Sequence, residues 1–182
     1  SGSGSGTSGG NCSGGSNWAN LSTLSGASAE ASHTYSTSFP AALAIDGNMS
    51  STYWLAQHEN PTYTSSGLTN NNQNDGRSLF ITFDLGGTYC FDQLRFISHN
   101  YFANAPSGQY WEVWVSNDNS NWTQVAEWET PYVDGGWIEL ELGSPVQARY
   151  IRMVPMQYYT WALITEFETK IFGGGTASGG SG

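Results

Sequence analysis

Residues 46–52 read DGNMSST, which puts the carboxylate of Asp46, the amide oxygen of Asn48 and the hydroxyls of Ser50, Ser51 and Thr52 within one turn of chain. These are hard oxygen donors. Gly47 frees the backbone to bend so that main-chain carbonyls can turn inward beside them, and an oxygen set of that kind suits calcium. A short apolar run, 42–45, leads into the loop, and Tyr53 and Trp54 close it with rings that can anchor it to a core. The same residues would also make an Asx-type turn between two strands, which Asp-Gly and Asn signal equally well. From the loop alone both readings stand.

Catalytic chemistry is harder to find. Glu139 and Glu141 form the tightest acidic pair, but a spacing of two on a strand points both to the solvated face beside Trp137, with Ile138, Leu140 and Leu142 inward. His33, His58 and His99 lack zinc-like spacing, and there is no GxSxG, HExxH or phosphate-cradling glycine loop. The expectation is a protein that is not an enzyme. Sugar binding asks for something else: a flat aromatic against the apolar face of a pyranose and a few fixed donors and acceptors around its rim. Three loops offer that mixture: His58 with its neighbours Gln57 and Asn60; His99, Asn100 and Tyr101; and Tyr158, Tyr159 and Trp161. Trp54, Trp111, Trp114, Trp122 and Trp128 are expected to pack, the last four because they lie on strands.

The elements that must position these groups read as strands. Alternation of apolar and polar residues runs through 79–85, 91–98, 110–116, 122–128, 137–142, 148–154 and 162–172. Turns such as SNDNSN and DGG separate them, and seven or eight short strands at hairpin-like intervals argue an all-β antiparallel sandwich of the jelly-roll kind. Residues 17–38 are polar and small, and are expected along one edge with Trp18, Leu21 and Leu24 inward. Residues 58–77 keep neither strand nor helix period and read as a long surface loop. The ends, 1–16 and 173–182, have the composition of flexible linkers. Linkers of a longer secreted protein, cloning scars and arms that pack onto neighbouring subunits all fit them. Between the ends, 17–172 is about one domain long.

Aromatic residues make up 14% of the chain and charged ones 11%, a palette for strands with Gly, Asn and Ser turns rather than long helices. Fifteen acidic residues against five basic ones leave a formal net charge of −10. Nucleic acid and anionic membranes both need a positive footprint that four Arg and Lys170 do not make. Strongly acidic glycans are disfavoured for the same reason, unless one well-placed Arg rescues them. No apolar run reaches the length of a membrane span, and no signal-peptide pattern opens the chain. Cys12 and Cys90 allow one pairing, which would staple the N-terminal arm to the sheet and stabilise by about 4 kcal/mol through loop closure. Two unpaired thiols are the alternative. A bridge fits better, because a loose lead-in has no other reason to carry a Cys and the rest of the chain reads as extracellular.

Five pieces in order, AIDGN with a hydroxyl and a Trp close behind, ITFDLGGTYCFDQLRF, YWEVWVSNDNSNW, ARYIRMV and ALITEFE, resemble the discoidin or coagulation-factor type C fold. The likeness is closest to family-32 carbohydrate-binding modules and the galactose-binding domain of galactose oxidase. The resemblance implies a structural calcium ion held by the carbonyl of Leu43, by Asp46, Asn48 and the hydroxyl of Thr52, and by Glu166 with the carbonyl of Thr165. One extra residue lies between Asn48 and Trp54 relative to the usual pattern, so Ser51 could replace Thr52. It also implies that the three loops meet at one end of the sandwich above the calcium. Galactose binders of this kind usually carry an Arg near His99 and a His where Leu55 stands, departures that put galactose itself in doubt. The expected function is that of a calcium-stabilised, secreted or cell-surface module, joined to neighbouring domains, that binds a neutral or weakly charged glycan. A structural or adhesive domain making protein contacts is the alternative.

Overall fold

The computed structural model describes residues 12–57, 79–99, 110–131, 133–156 and 161–173. Nine strands carry them: β1 (Ser16–Asn20), β2 (Ser28–Ala31), β3 (Trp54–Gln57), β4 (Ile81–Ile97), β5 (Tyr110–Ser116), β6 (Thr123–Glu129), β7 (Trp137–Met156), β8 (Trp161–Ile164) and β9 (Glu166–Phe172). All pairings are antiparallel. The main sheet runs β1-β9-β4-β7-β5-β6 with β2 also on β4, and β3 pairs separately with β8. Two 3₁₀ turns, Leu21–Thr23 and Ala41–Ile45, complete the regular structure among the described residues.

The sandwich is built around one long ribbon. β4 and β7 pair from Ile81 with Met153 to Ile97 with Trp137, with irregularities between Asp84 and Tyr89 and between Phe91 and Gln93. Early β4 also pairs with β2, and late β4 with β9, so the ribbon passes from one layer into the other. Rings meet across the gap. Phe83 of early β4 stacks on Phe167 of β9 at 3.9 Å, and Phe96 of late β4 meets Trp111 and Trp128 edge-on at 5.5 and 5.0 Å. Apolar burial of this kind, at about 25 cal/mol per Å², is what holds the layers together.

The expected strands 79–85 and 91–98 are one strand, and so are 137–142 and 148–154. The extra residue at Asp92 reconciles alternation with a continuous strand: Phe91 is inward, the register slips, and then Leu94 and Phe96 face the core while Gln93 and Arg95 face out. Segment 162–172 is instead cut at Thr165, whose amide donates to the Ile97 carbonyl at 2.8 Å. Edge placement of 17–38 holds, since β1 lies against β9 and β2 against β4. Trp18 corrects the expectation. It pairs opposite Lys170 and packs outward against the Arg95 guanidinium at 4.2 Å, while Leu21 is buried. Trp54, Trp111 and Trp128 are buried as expected, whereas Trp114 and Trp122 stand half-exposed.

Cys12 and Cys90 are bonded, with Cα atoms 5.4 Å apart, so the lead-in is fastened to the middle of β4. Ser16 pairs with Phe172 and the Gly173 amide donates to the Gly15 carbonyl, which sets the incoming and outgoing chain side by side.

Candidate functional site

The Ala41–Ile45 turn ends on Asp46, and Gly47 follows with φ +83°, the left-handed conformation that Gly adopts without strain. This bend aims the Gly47 amide at Glu166, which accepts it on Oε2 at 3.0 Å across 119 residues of sequence. The two chain regions expected to meet do meet. Within the loop, Asp46 Oδ1 accepts the Asn48 amide at 2.8 Å and Oδ2 accepts the Thr52 hydroxyl at 2.6 Å. The Asn48 side-chain oxygen accepts the amides of Ser50 and Ser51 at 3.0 Å each, and its amide nitrogen donates to the Ser51 hydroxyl at 2.8 Å. Thr52 is therefore the hydroxyl beside the carboxylate, and Ser51 is turned toward Asn48. Leu43 lies on the 3₁₀ turn just ahead, its amide bonded to the Pro40 carbonyl.

Glu166 is the unusual member. It is 0% exposed, and its second oxygen, Oε1, is buried with no hydrogen-bond partner. A buried carboxylate left half-satisfied costs free energy until a proton or a cation meets it. Burial, with smaller contributions from the charges of Asp46 and Glu168 and against the Gly47 hydrogen bond, pushes its pKa up to about 8. Among the described residues no three His, Cys, Asp or Glu side chains gather. Asp46 and Glu166, with the Thr52 hydroxyl on Asp46, offer hard oxygens of the kind a calcium ion takes. The residues present fit calcium.

Of the expected sugar-binding residues, His58, Asn100, Tyr101, Tyr158 and Tyr159 lie outside the described residues. His99 is only 8% exposed, with Nδ1 3.5 Å from the Thr165 hydroxyl. Burial lowers its pKa, opposed by the charge of Asp134. It thus stands behind the junction, beside Thr165, rather than on the surface. Trp161 opens β8 partly exposed, and its ring meets Tyr35 edge-on at 5.0 Å. Tyr35 is 54% exposed and was not singled out by sequence reasoning. Its amide donates to the Leu55 carbonyl at 2.7 Å, which lays 33–39 along β3, and Phe39 stacks on Tyr53 at 5.1 Å beside it. A lone aromatic in a run of Ser and Thr was the available signal. Tyr35 and Trp161 together make an accessible pair of rings at the start of β8, which pairs with β3 from Gln57 opposite Trp161 to Trp54 opposite Ile164.

Residues 27–167 match the F5/8 type C domain family. The chain belongs to that family. This F5/8 type C domain is similar in fold to solved carbohydrate-binding modules. One is CpGH89CBM32-5 of Clostridium perfringens in complex with GalNAc-β-1,3-galactose, at 20% identity and TM-score 0.60, covering 79% of this chain and 94% of that one. Another is the family 32 module of NanJ from the same organism in complex with galactose, at 21% identity and TM-score 0.58, covering 81% and 95%. A third is chitosan-binding module 1 derived from a chitosanase/glucanase of Paenibacillus sp. IK-5, at 25% identity and TM-score 0.55, covering 83% and 97%. No curated protein matches this chain.

Proposed function

We propose that this F5/8 type C domain is a non-catalytic carbohydrate-binding module, braced by calcium, that holds a secreted glycan-active enzyme or adhesin on a neutral or weakly charged polysaccharide. The observation that carries the reading is the Tyr35–Trp161 ring pair, Tyr35 exposed and Trp161 partly so, at the start of the strand β8 that leads through Thr165 to Glu166 of the junction. Rings supply the apolar face a pyranose needs, and a braced floor keeps them from losing orientation on binding. Asp46 and Glu166 would give the ion its carboxylates, Asn48 and Thr52, or Ser51, neutral oxygens, and Leu43 and Thr165 their carbonyls. A calcium ion held there would offset the negative charge of both acids. Family membership and the sugars bound by similar modules support the ligand class, and the Cys12–Cys90 bridge supports an oxidising compartment outside the cytosol.

Affinity electrophoresis through gels cast with neutral polysaccharides tests the reading. The domain should be retarded by at least one of them, and Trp161→Ala should run unretarded while melting normally. Retardation by none, with concentration-dependent self-association in its place, would move the assignment to a structural or adhesive domain.

A further inference from the structure

Three described arginines stand on the outer faces of the sandwich, and two are neutralised. Arg95 meets Glu168 at 3.0 Å and Glu139 at 3.5 Å, while Arg149 lays Nε and one terminal nitrogen on the two oxygens of Asp84 at 2.8 and 2.9 Å. Arg152 has no such partner. On β7 it lies between Thr82 of β4 and Trp114 of β5, and among the described residues no carboxylate comes within ion-pair distance of it. The chain holds fifteen acidic residues to five basic ones, so the lack is not one of supply.

What surrounds Arg152 instead fixes its plane. The guanidinium carbon sits 3.9 Å from the Phe80 ring and 4.0 Å from the Trp122 ring, and Nε donates to the Thr82 hydroxyl at 2.9 Å. A guanidinium stacked and hydrogen-bonded through Nε keeps its terminal nitrogens for a planar anion, with its ordering cost already met. Half-burial also weakens solvent screening of that attraction.

Thr82 has a second role. With Ser28, Glu30, Asp84, Asn119 and Tyr150 it lines an open cavity of about 100 Å³ on the same face. Hydroxyls, two carboxylates, an amide and one aromatic ring are the groups that read the hydroxyls of a sugar. Asp84 is committed to Arg149 and to the Gly86 amide, whereas exposed Glu30 forms no ion pair among the described residues. Asn119 is presented at a fixed angle. It has φ 59°, alone among the described non-glycine residues in being positive, in a turn that Asp118 pins by accepting the amides of Ser120 and Asn121 and the Asn121 side chain. This turn follows Ser116, at the far end of β5 from Tyr110, about 20 Å along the strand at the usual rise per residue.

We propose that this flank of the sheet is a second glycan site, which takes one uronic-acid residue with its ring in the cavity and its carboxylate on Arg152. It rests on the carbohydrate-binding reading but not on the Tyr35–Trp161 end. One arginine without an acidic partner among the described residues, in a chain of net charge −10, selects one acidic residue within a mostly neutral chain over a polyanion.

Oligomers of galacturonic, glucuronic and mannuronic acid, each beside its carboxyl-reduced neutral counterpart, test this by amide chemical shifts of the full chain. At least one acid should move Thr82, Tyr150, Arg152 and 117–122, bind at least tenfold tighter than its reduced form, and weaken with salt. Arg152→Gln should remove that tenfold preference. The stacked guanidinium also holds the sheet, so Ser28→Trp on the edge strand serves as an independent block that leaves Arg152 in place and should abolish the shifts. Trp161→Ala should leave them untouched, so failure at the loop end and failure here are read at different amides. Equal affinity for acid and reduced sugar, shifts confined to 53–56 and 161–166, or no shifts with any acid would each overturn the proposal.

Discussion

Glu166 keeps one oxygen on the Gly47 amide and the other without a partner, in a position closed to solvent. Its pKa near 8 in the fold, against 4.5 for an ordinary Glu, means that between those values the folded chain holds a proton the unfolded chain has lost. Without calcium, the contribution of Glu166 to stability should therefore be full below about pH 4.5, be lost as pH rises toward 8, and level off above. Thermal melts in chelator across that range should show the decline, and Glu166→Gln should flatten it. Calcium bound at Glu166 would compete with the same proton, so the stabilisation it gives should grow over the same interval. At a hundred times its dissociation constant the ion should add about 2.7 kcal/mol, a rise of about 5–10 °C for a domain this size. Asp46→Ala should erase the difference between calcium and chelator; a melt indifferent to chelator in the parent chain would sink the calcium assignment. The loop half of this junction was legible from Asp46 to Thr52 because its donors are neighbours in sequence. Glu166 was reached only through family resemblance, since nothing local marks an acid whose partner lies 119 residues away. Tyr35 and Arg152 were missed as site candidates for the same reason: their significance lies in cross-strand neighbours.

Among the elements, the β4–β7 ribbon decides the architecture, and its bend is a matter of backbone clearance. Gly86 has φ +78°, and a Cβ there would stand 2.2 Å from the Ser25 carbonyl oxygen. Gly86→Ala should cost about 2 kcal/mol or more, through both the left-handed backbone and the collision, and urea melts should show a lower midpoint at unchanged slope. Strand identity was readable because alternation survives in each half of the ribbon, with Leu79, Ile81, Phe83 and Leu85 all buried. Strand length was not. The gap read between 85 and 91 falls on the irregularity between Asp84 and Tyr89, where Gly86 turns the backbone and alternation lapses without ending the strand, while the slip at Asp92 reverses the phase inside the second half. The reverse error at Thr165 has the same root, because apolar residues continue through a break that only the Ile97 hydrogen bond reveals.

At the scale of the molecule, composition gave the class and the cysteines gave the staple. The bridge closes a separation of 78 residues, and its loss in Cys12→Ser with Cys90→Ser should lower stability by about 2–4 kcal/mol, read from the same urea melts. The charge balance argues against a broad basic surface, yet it could not say which of the described arginines would be left without an acid, because that depends on which carboxylates the sheet register brings opposite. Register places Glu168 beside Arg95 and gives Arg152 Thr82 and Trp114.

The adjacency of Ser16 and Phe172 has a mechanical meaning. A tether pulled at both flanks would peel β1 from β9 one rung at a time, the geometry of least resistance, were it not for Cys12. Because that residue is covalently anchored at Cys90, load arriving from the N-terminal side bypasses β1 and enters the central ribbon directly. Oxidised, the domain should carry such a load through its interior; reduced, it should unzip from its edge under a far smaller pull.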